Sequence, residues 1–161
     1  MIHLISDKMK TVIVDANIFG WALIRGKSWQ HNVVWNMFEA VEKEKIELVI
    51  SEETVNEIDR TSNLRIKQLL INTYRLYCKK IIPLTNEIRK LAEELKKEVP
   101  EATIPDLRII ITASKNNLTF VTLDYYTILK GNVLKKIKKG LKKLNLKTIQ
   151  IVDPRSLGFR Y

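Results

Sequence analysis

Five short apolar runs, TVIV (Thr11–Val14), IELVIS (Ile46–Ser51), KIIPL (Lys80–Leu84), LTFVTLD (Leu118–Asp124) and TIQIV (Thr148–Val152), alternate along this chain with stretches of helical spacing. Short apolar, β-branched runs read as buried strands. Strands that alternate with helices pair in parallel through right-handed crossovers, which place helices on both faces of the sheet. The sequence therefore predicts a three-layer α/β/α domain around a mostly parallel sheet. Helices are expected over Val33–Glu44 (Val34, Phe38 and Val41 or Ala40 inward), from Ser51, over Leu64–Cys78, over Glu87–Glu98, from Pro105 to Lys115 and over Val133–Leu144. In the Leu64–Cys78 stretch, Ile66, Leu69, Leu70, Thr73 and Leu76 are spaced as a core face. No repeat or linker divides the 161 residues, which read as one domain with a core of about 10–152 and residues 1–9 as an N-terminal extension.

Composition removes several classes of function. Cys78 is the only cysteine and His3 and His31 the only histidines, so a disulfide framework and a cysteine- or histidine-rich metal site are excluded. The first residues are too polar for a signal peptide, and no apolar run approaches membrane-spanning length. A cytoplasmic protein without a membrane partner is expected. The formal charge of +10 is uneven, with eight lysines and no acid between Lys130 and Lys147. Such a block suggests a polyanionic partner, nucleic acid first and an anionic membrane surface second; a solvated helix face is the competing reading.

The first and fourth strands both run into an aspartate, Asp15 and Asp124. Aspartate is a poor strand residue, and a charge beside apolar surface is costly without a partner. In open α/β sheets ligands bind outside the carboxyl ends of the strands. Both aspartates belong to that edge, and two further acids can reach it: Glu57, on the helix after the second strand, and Asp106, at the start of the helix before the fourth. Four converging carboxylates repel one another unless a cation lies between them. An all-oxygen donor set favours Mg²⁺ or Mn²⁺, with waters and substrate phosphate completing the shell.

In order, VIVDANIF, SEETVNEI and PDLRIIITASKNNLTFVTLD resemble the PIN-domain nucleases, including the VapC-type toxins of toxin–antitoxin pairs; DYYTILKG is similar to that family's exit from the fourth strand. The resemblance covers about Lys10 to Val152. It implies a PIN-like fold and metal-dependent endoribonuclease chemistry leaving 5′-phosphate and 3′-hydroxyl ends. By that resemblance Asp15, Asp106 and Asp124 hold one or two cations, and Glu57 ligates or orients a water. Asn17, Ser51 and Thr122 orient carboxylates. The resemblance also implies an acidic antitoxin as partner and a homodimer. The chain departs from the small toxins in being somewhat longer and in its lysine-rich helix, which leaves an RNA-processing role open beside a toxin role.

RNA contacts are expected from Arg25 and Lys27, just past the first motif, and from Lys135, Lys136, Lys138, Lys139, Lys142 and Lys143. Glu52, Glu53 and Asp59 compete with Glu57 should the helix register differ. Asp153 reads as a turn residue, His31 as a surface residue and Cys78 as packing; Trp21, Trp29 and Trp35 are candidates for stacking bases, with at least two of them read as core or dimer packing. The alternative of another class is a PIN-fold module that binds RNA or protein with an idle acid site. A phosphatase with an aspartyl nucleophile wants a second Asp where Asn17 stands, and no G-x-G-x-x-G follows the first strand to serve a dinucleotide.

Overall fold

Strand β1 (Lys10–Val14) is buried on both faces, as a central strand of a parallel sheet must be. Side chains alternate across it, so Ile13 packs into one core layer while Val12 and Val14 pack into the other. The computed structural model describes residues 9–23 and 28–159. After β1 come α1 (Ala16–Leu23), α2 (Trp29–Glu42), β2 (Ile46–Ser51), α3 (Glu52–Asp59), α4 (Leu64–Tyr77) and β3 (Cys78–Ile82). The second half comprises α5 (Asn86–Glu98), α6 (Ile104–Lys115), β4 (Thr119–Val121), α7 (Gly131–Lys143), β5 (Ile151–Val152) and a 3-10 turn, Pro154–Leu157. The strands form one five-stranded sheet in the order β3-β2-β1-β4-β5, and every pairing is parallel. Among the described residues no helix is long and apolar enough to cross a membrane.

The topology explains the layers. One layer seats Ile88, Ala92 and Leu95 of α5, the apolar face of α6, and Val133, Ile137 and Leu141 of α7 against Ile13 and Phe120. The other seats Ile18 and Phe19 of α1, Met37 and Phe38 of α2 and Tyr74 of α4 against Val12, Val14 and Leu48. Helix starts follow their capping residues: Ser51 caps α3, Thr85 caps α5 and Thr103 caps α6, with Pro105 in its first turn. Gly140 of α7 lies against α5; a Cβ there would stand 2.5 Å from Leu95 Cδ1 and 3.2 Å from Glu98 Cβ.

Four local expectations are corrected. Helix α1 has no counterpart in the sequence reading, because ANIFGWAL is apolar all round and carries no 3.6-residue contrast. Helix α2 begins at Trp29, with Ser28 accepting from the His31 N–H at 3.2 Å, not at Val33. Helix α4 is rotated from the expected face. Its buried residues are Leu70, Tyr74 and Tyr77, whereas Ile66, Leu69 and Leu76 are exposed, Leu76 to 71%. The tyrosines decide this: Tyr77 stacks on Phe38 at 4.2 Å between ring centroids with its hydroxyl donating to Glu42, and Tyr74 meets the Phe19 edge at 6.4 Å. An aromatic ring buries more area than a leucine and keeps a polar end to satisfy. Cys78 falls at the start of β3 instead of inside a helix, and burial pushes its thiol up to about 12.

Candidate metal centre at the carboxyl edge of the sheet

Asp15 stands immediately after β1, where α1 begins and the main chain leaves the sheet. Thr122, one residue past β4, reaches across and donates its hydroxyl to Asp15 Oδ2 at 2.7 Å; the Thr122 Oγ1 in turn accepts from the Asp124 N–H at 3.2 Å. The register fixes this, since Val14 pairs with Val121. Asp124 lies three residues beyond β4, which is shorter than expected. Its Oδ1 accepts from the N–H groups of Tyr126 and Thr127 at 3.1 and 3.0 Å, so the acid ends the strand by capping a turn. Glu57 projects from α3, and Asp106 sits in the first turn of α6.

These residues meet at one cavity of about 530 Å³ lined by Asp15, Asn17, Glu57, Asp106 and Asp124, together with Arg60, Thr103 and Pro105. The electrostatics register their proximity. Asp15 is raised to about 7, first by burial and then by Asp106 and Glu57, while the Thr122 hydrogen bond works the other way. Asp106 is raised by burial and by Asp124, and Glu57 by burial and by Asp106. Among the described residues, no three acid, imidazole or thiol groups stand close enough to make a ready-formed cage. The carboxylates line the walls of the cavity without closing on one point. That arrangement suits Mg²⁺ or Mn²⁺, which keep waters and lean on one or two carboxylates plus substrate phosphate. The donor set is all oxygen, and Asp15 Oδ1 is buried with no hydrogen-bond partner. A buried carboxylate oxygen without a donor is costly unless a cation or a proton satisfies it, so the residues present fit such an ion.

The competing acids separate cleanly. Glu53 is buried (2% exposed) and paired to Arg108 of α6 at 3.2 Å, with Arg60 at 4.0 Å from its other oxygen. It ties α3 to α6, the two helices that carry Glu57 and Asp106, and does not face the cavity. Glu52 accepts from the Leu84 N–H at 3.0 Å, and Asp59 is exposed and outside the cavity lining. The Ser51 hydroxyl accepts from the Glu53 N–H at 3.0 Å, which makes it the cap of α3; its bond is to backbone, not to a carboxylate. Arg60, which the sequence reading omitted, follows Glu57 by one helical turn, and that spacing was its only signal.

The basic residues divide. Arg25 and Lys27 lie outside the described residues. Lys136 pairs with Glu101 at 2.8 Å and Lys143 with Glu98 at 2.6 Å, so these two fasten α7 to α5 and its following loop. Lys135, Lys138, Lys139 and Lys142 are exposed on α7. Of the tryptophans, Trp35 donates its indole N–H to the Ala22 carbonyl at 2.9 Å and packs edge-on against Phe38.

No sequence-family model matches the chain. No curated protein matches it either. Solved structures do. The chain is similar to a chain of VapBC2 from Rickettsia felis, a complex bound to a DNA fragment from its promoter, with a TM-score of 0.58 at 16% identity over 89% of this chain and 98% of that one. FitAcB from Neisseria gonorrhoeae gives 0.57 at 16% identity over the same shares. DNA-bound VapBC from Salmonella typhimurium gives 0.54 at 13% identity over 91% and 98%. At these identities the likeness is one of architecture, and it covers about nine-tenths of the chain. The chain has the PIN-like α/β/α fold that its sequence predicts.

Proposed function

We propose that this protein is a metal-dependent endoribonuclease of the PIN type, acting as the toxin of a toxin–antitoxin pair or as an RNA-processing enzyme. The observation that carries this reading is the cavity at the carboxyl edge, lined by Asp15, Glu57, Asp106 and Asp124, where Asp15 Oδ1 is buried with no hydrogen-bond partner. Asp15, Asp106 and Asp124 would hold Mg²⁺ or Mn²⁺, which when bound supplies Lewis acidity and lowers the pKa of a water. Thr122 keeps the Asp15 carboxylate turned toward the cavity by occupying one of its oxygens. Glu57, raised by burial and then by Asp106, is suited to orient or accept a proton from the attacking water. Arg60, on the cavity wall, is placed to receive a phosphate oxygen. The exposed lysines of α7 supply a cationic surface for the RNA backbone.

A small acidic antitoxin is the partner this reading expects, supported by the VapBC and FitAcB complexes among the structural neighbours. The test is cleavage of unstructured and structured RNA with Mg²⁺, Mn²⁺ or EDTA, beside Asp15→Asn and Asp106→Asn, with metal binding followed separately by calorimetry. Metal-dependent cutting that both variants lose is the expected result. Cutting retained in either purified variant would sink the assignment, and wild-type protein that binds neither metal nor RNA ends favour of a nuclease and leaves the protein-binding module.

A further inference from the structure

Beside the carboxylate cavity, three separate chain segments build a second structure at the same edge of the sheet. Trp29 opens α2, Tyr125 directly follows Asp124, and Asp153 and Arg155 follow β5. Strand β5 lies next to β4, and the Thr122 N–H donates to the Val152 carbonyl at 3.0 Å, so the chain ends carrying Asp124 and Asp153 are adjacent. The Arg155 guanidinium carbon sits 4.1 Å from the centroid of the Trp29 ring and 5.8 Å from that of Tyr125, while the two rings meet edge to face at 5.9 Å.

The arginine is held in that pose from several directions. Its Nη2 donates to Asp153 Oδ2 at 3.1 Å and to the Tyr125 hydroxyl at 2.9 Å, its Nε donates to Asp153 Oδ1 at 3.4 Å, and the Tyr125 hydroxyl donates in turn to Asp153. Its side chain is nonetheless 43% exposed. A flexible cation has thus been fixed as a flat, oriented plane at the surface, against Tyr125, which follows a proposed metal ligand by one residue. An exposed ion pair adds little to stability, which is a small return for immobilising a long side chain. A plane of this kind is what single-stranded RNA is recognised by: unstacked bases lie on aromatic rings and on guanidinium planes.

We propose that the Trp29–Arg155–Tyr125 stack is a subsite for one base of a single-stranded RNA, the nucleotide adjoining the bond held at the carboxylates. The proposal rests on the ribonuclease reading for its ligand, but its test does not depend on cutting. Arg155→Ala and Arg155→Lys, the latter keeping the charge and losing the plane, are compared with wild type for binding a short fluorescein-labelled oligouridylate. Fluorescence anisotropy is read in EDTA and low salt, where no metal-dependent cleavage proceeds. Both variants are expected to bind roughly tenfold more weakly, the loss of one base stack, with thermal midpoints unchanged. Wild-type affinity in Arg155→Lys would show that a point charge suffices and overturn the base subsite, as would wild-type affinity in both.

A measurement on the unaltered protein covers the case of variants that fold poorly. Bound oligouridylate should protect Arg155 from an arginine-specific dicarbonyl reagent, read by peptide mass spectrometry. Unprotected Arg155, or wild-type protein that binds no oligonucleotide, overturns the proposal. Cutting by Arg155→Lys with unaltered binding leaves the nuclease standing without the subsite. Tight, Arg155-dependent binding with no metal-dependent cutting leaves the subsite standing without the nuclease.

Discussion

Replacing Asp15 by Asn should stabilise the metal-free protein at neutral pH, although it removes the residue on which the proposed chemistry depends. Asp15 is buried, and its carboxyl is raised from 3.8 to about 7, chiefly by burial and then by Asp106 and Glu57. Below pH 4 the group is protonated in both the folded and unfolded chains and costs nothing. Between about pH 4 and 7 the unfolded chain releases its proton first, so native stability falls as pH rises. Above pH 7 the folded protein carries a buried, uncompensated charge, and the full difference corresponds to about 4 kcal/mol. Asn does not titrate, and its side-chain oxygen can still accept from Thr122 at the position Asp15 Oδ2 occupies. Glu57 and Asp106 titrate in both proteins and largely cancel in the comparison. Thermal midpoints in EDTA should therefore show Asp15→Asn gaining on wild type between pH 4 and 8 by roughly 8–16 °C, at about 2–4 °C per kcal/mol for a chain of this size. Adding Mn²⁺ at pH 8 should raise the wild-type midpoint and leave the variant where it is. A gap independent of pH would refute the reasoning, because it would mean that Asp15 is solvated and that the acids around it do not form one electrostatic unit.

Two further substitutions test the packing that positions the centre. Gly140→Ala should lower the thermal midpoint by a few degrees, since overpacking against the buried Leu95 costs about 1–3 kcal/mol and the gain in helix propensity offsets at most about 1; an unchanged or raised midpoint would show that α5 and α7 separate freely. Leu76→Lys should alter stability by no more than about 0.5 kcal/mol, whereas Leu70→Ala should cost about 2–5 kcal/mol in urea unfolding. The opposite ranking would return the aliphatic face of α4 to the core.

Much of this architecture was legible because it depends on short-range patterns. Apolar runs of the β1 and β2 kind have no place but the centre of a covered sheet, and Ser51, Thr85 and Thr103 mark helix starts by their own chemistry. The parallel arrangement then brings the carboxyl ends of β1 and β4 side by side, so Asp15 and Asp124 fall at one edge without further information. What could not be read depended on contacts distant in sequence. Whether α4 turns its leucines or its tyrosines inward is settled by Phe19 and Phe38, which belong to other helices. Glu53 and Glu57 are one turn apart and alike in sequence; only Arg108, on α6, separates a structural ion pair from a cavity acid. Trp29, Tyr125, Asp153 and Arg155 are scattered along the chain and share no spacing rule, so their stack is visible only in three dimensions.

The bond between Thr122 and Asp15 joins residues 107 apart, and β4 lies beside β1 although β2 and β3 separate them in the chain. A chain emerging from the ribosome therefore carries Asp15 long before anything exists to orient it. Glu57 and Asp106 are made in the meantime, yet the cavity they line has no fourth wall until the Asp124 segment arrives. The carboxylate edge comes into being only with the long-range pairing of β4 to β1. A chain cut short before Leu118 would hold three of the four acids and no assembled centre. Until the Asp124 segment has been made and paired beside β1, the cavity lacks one of its four acids.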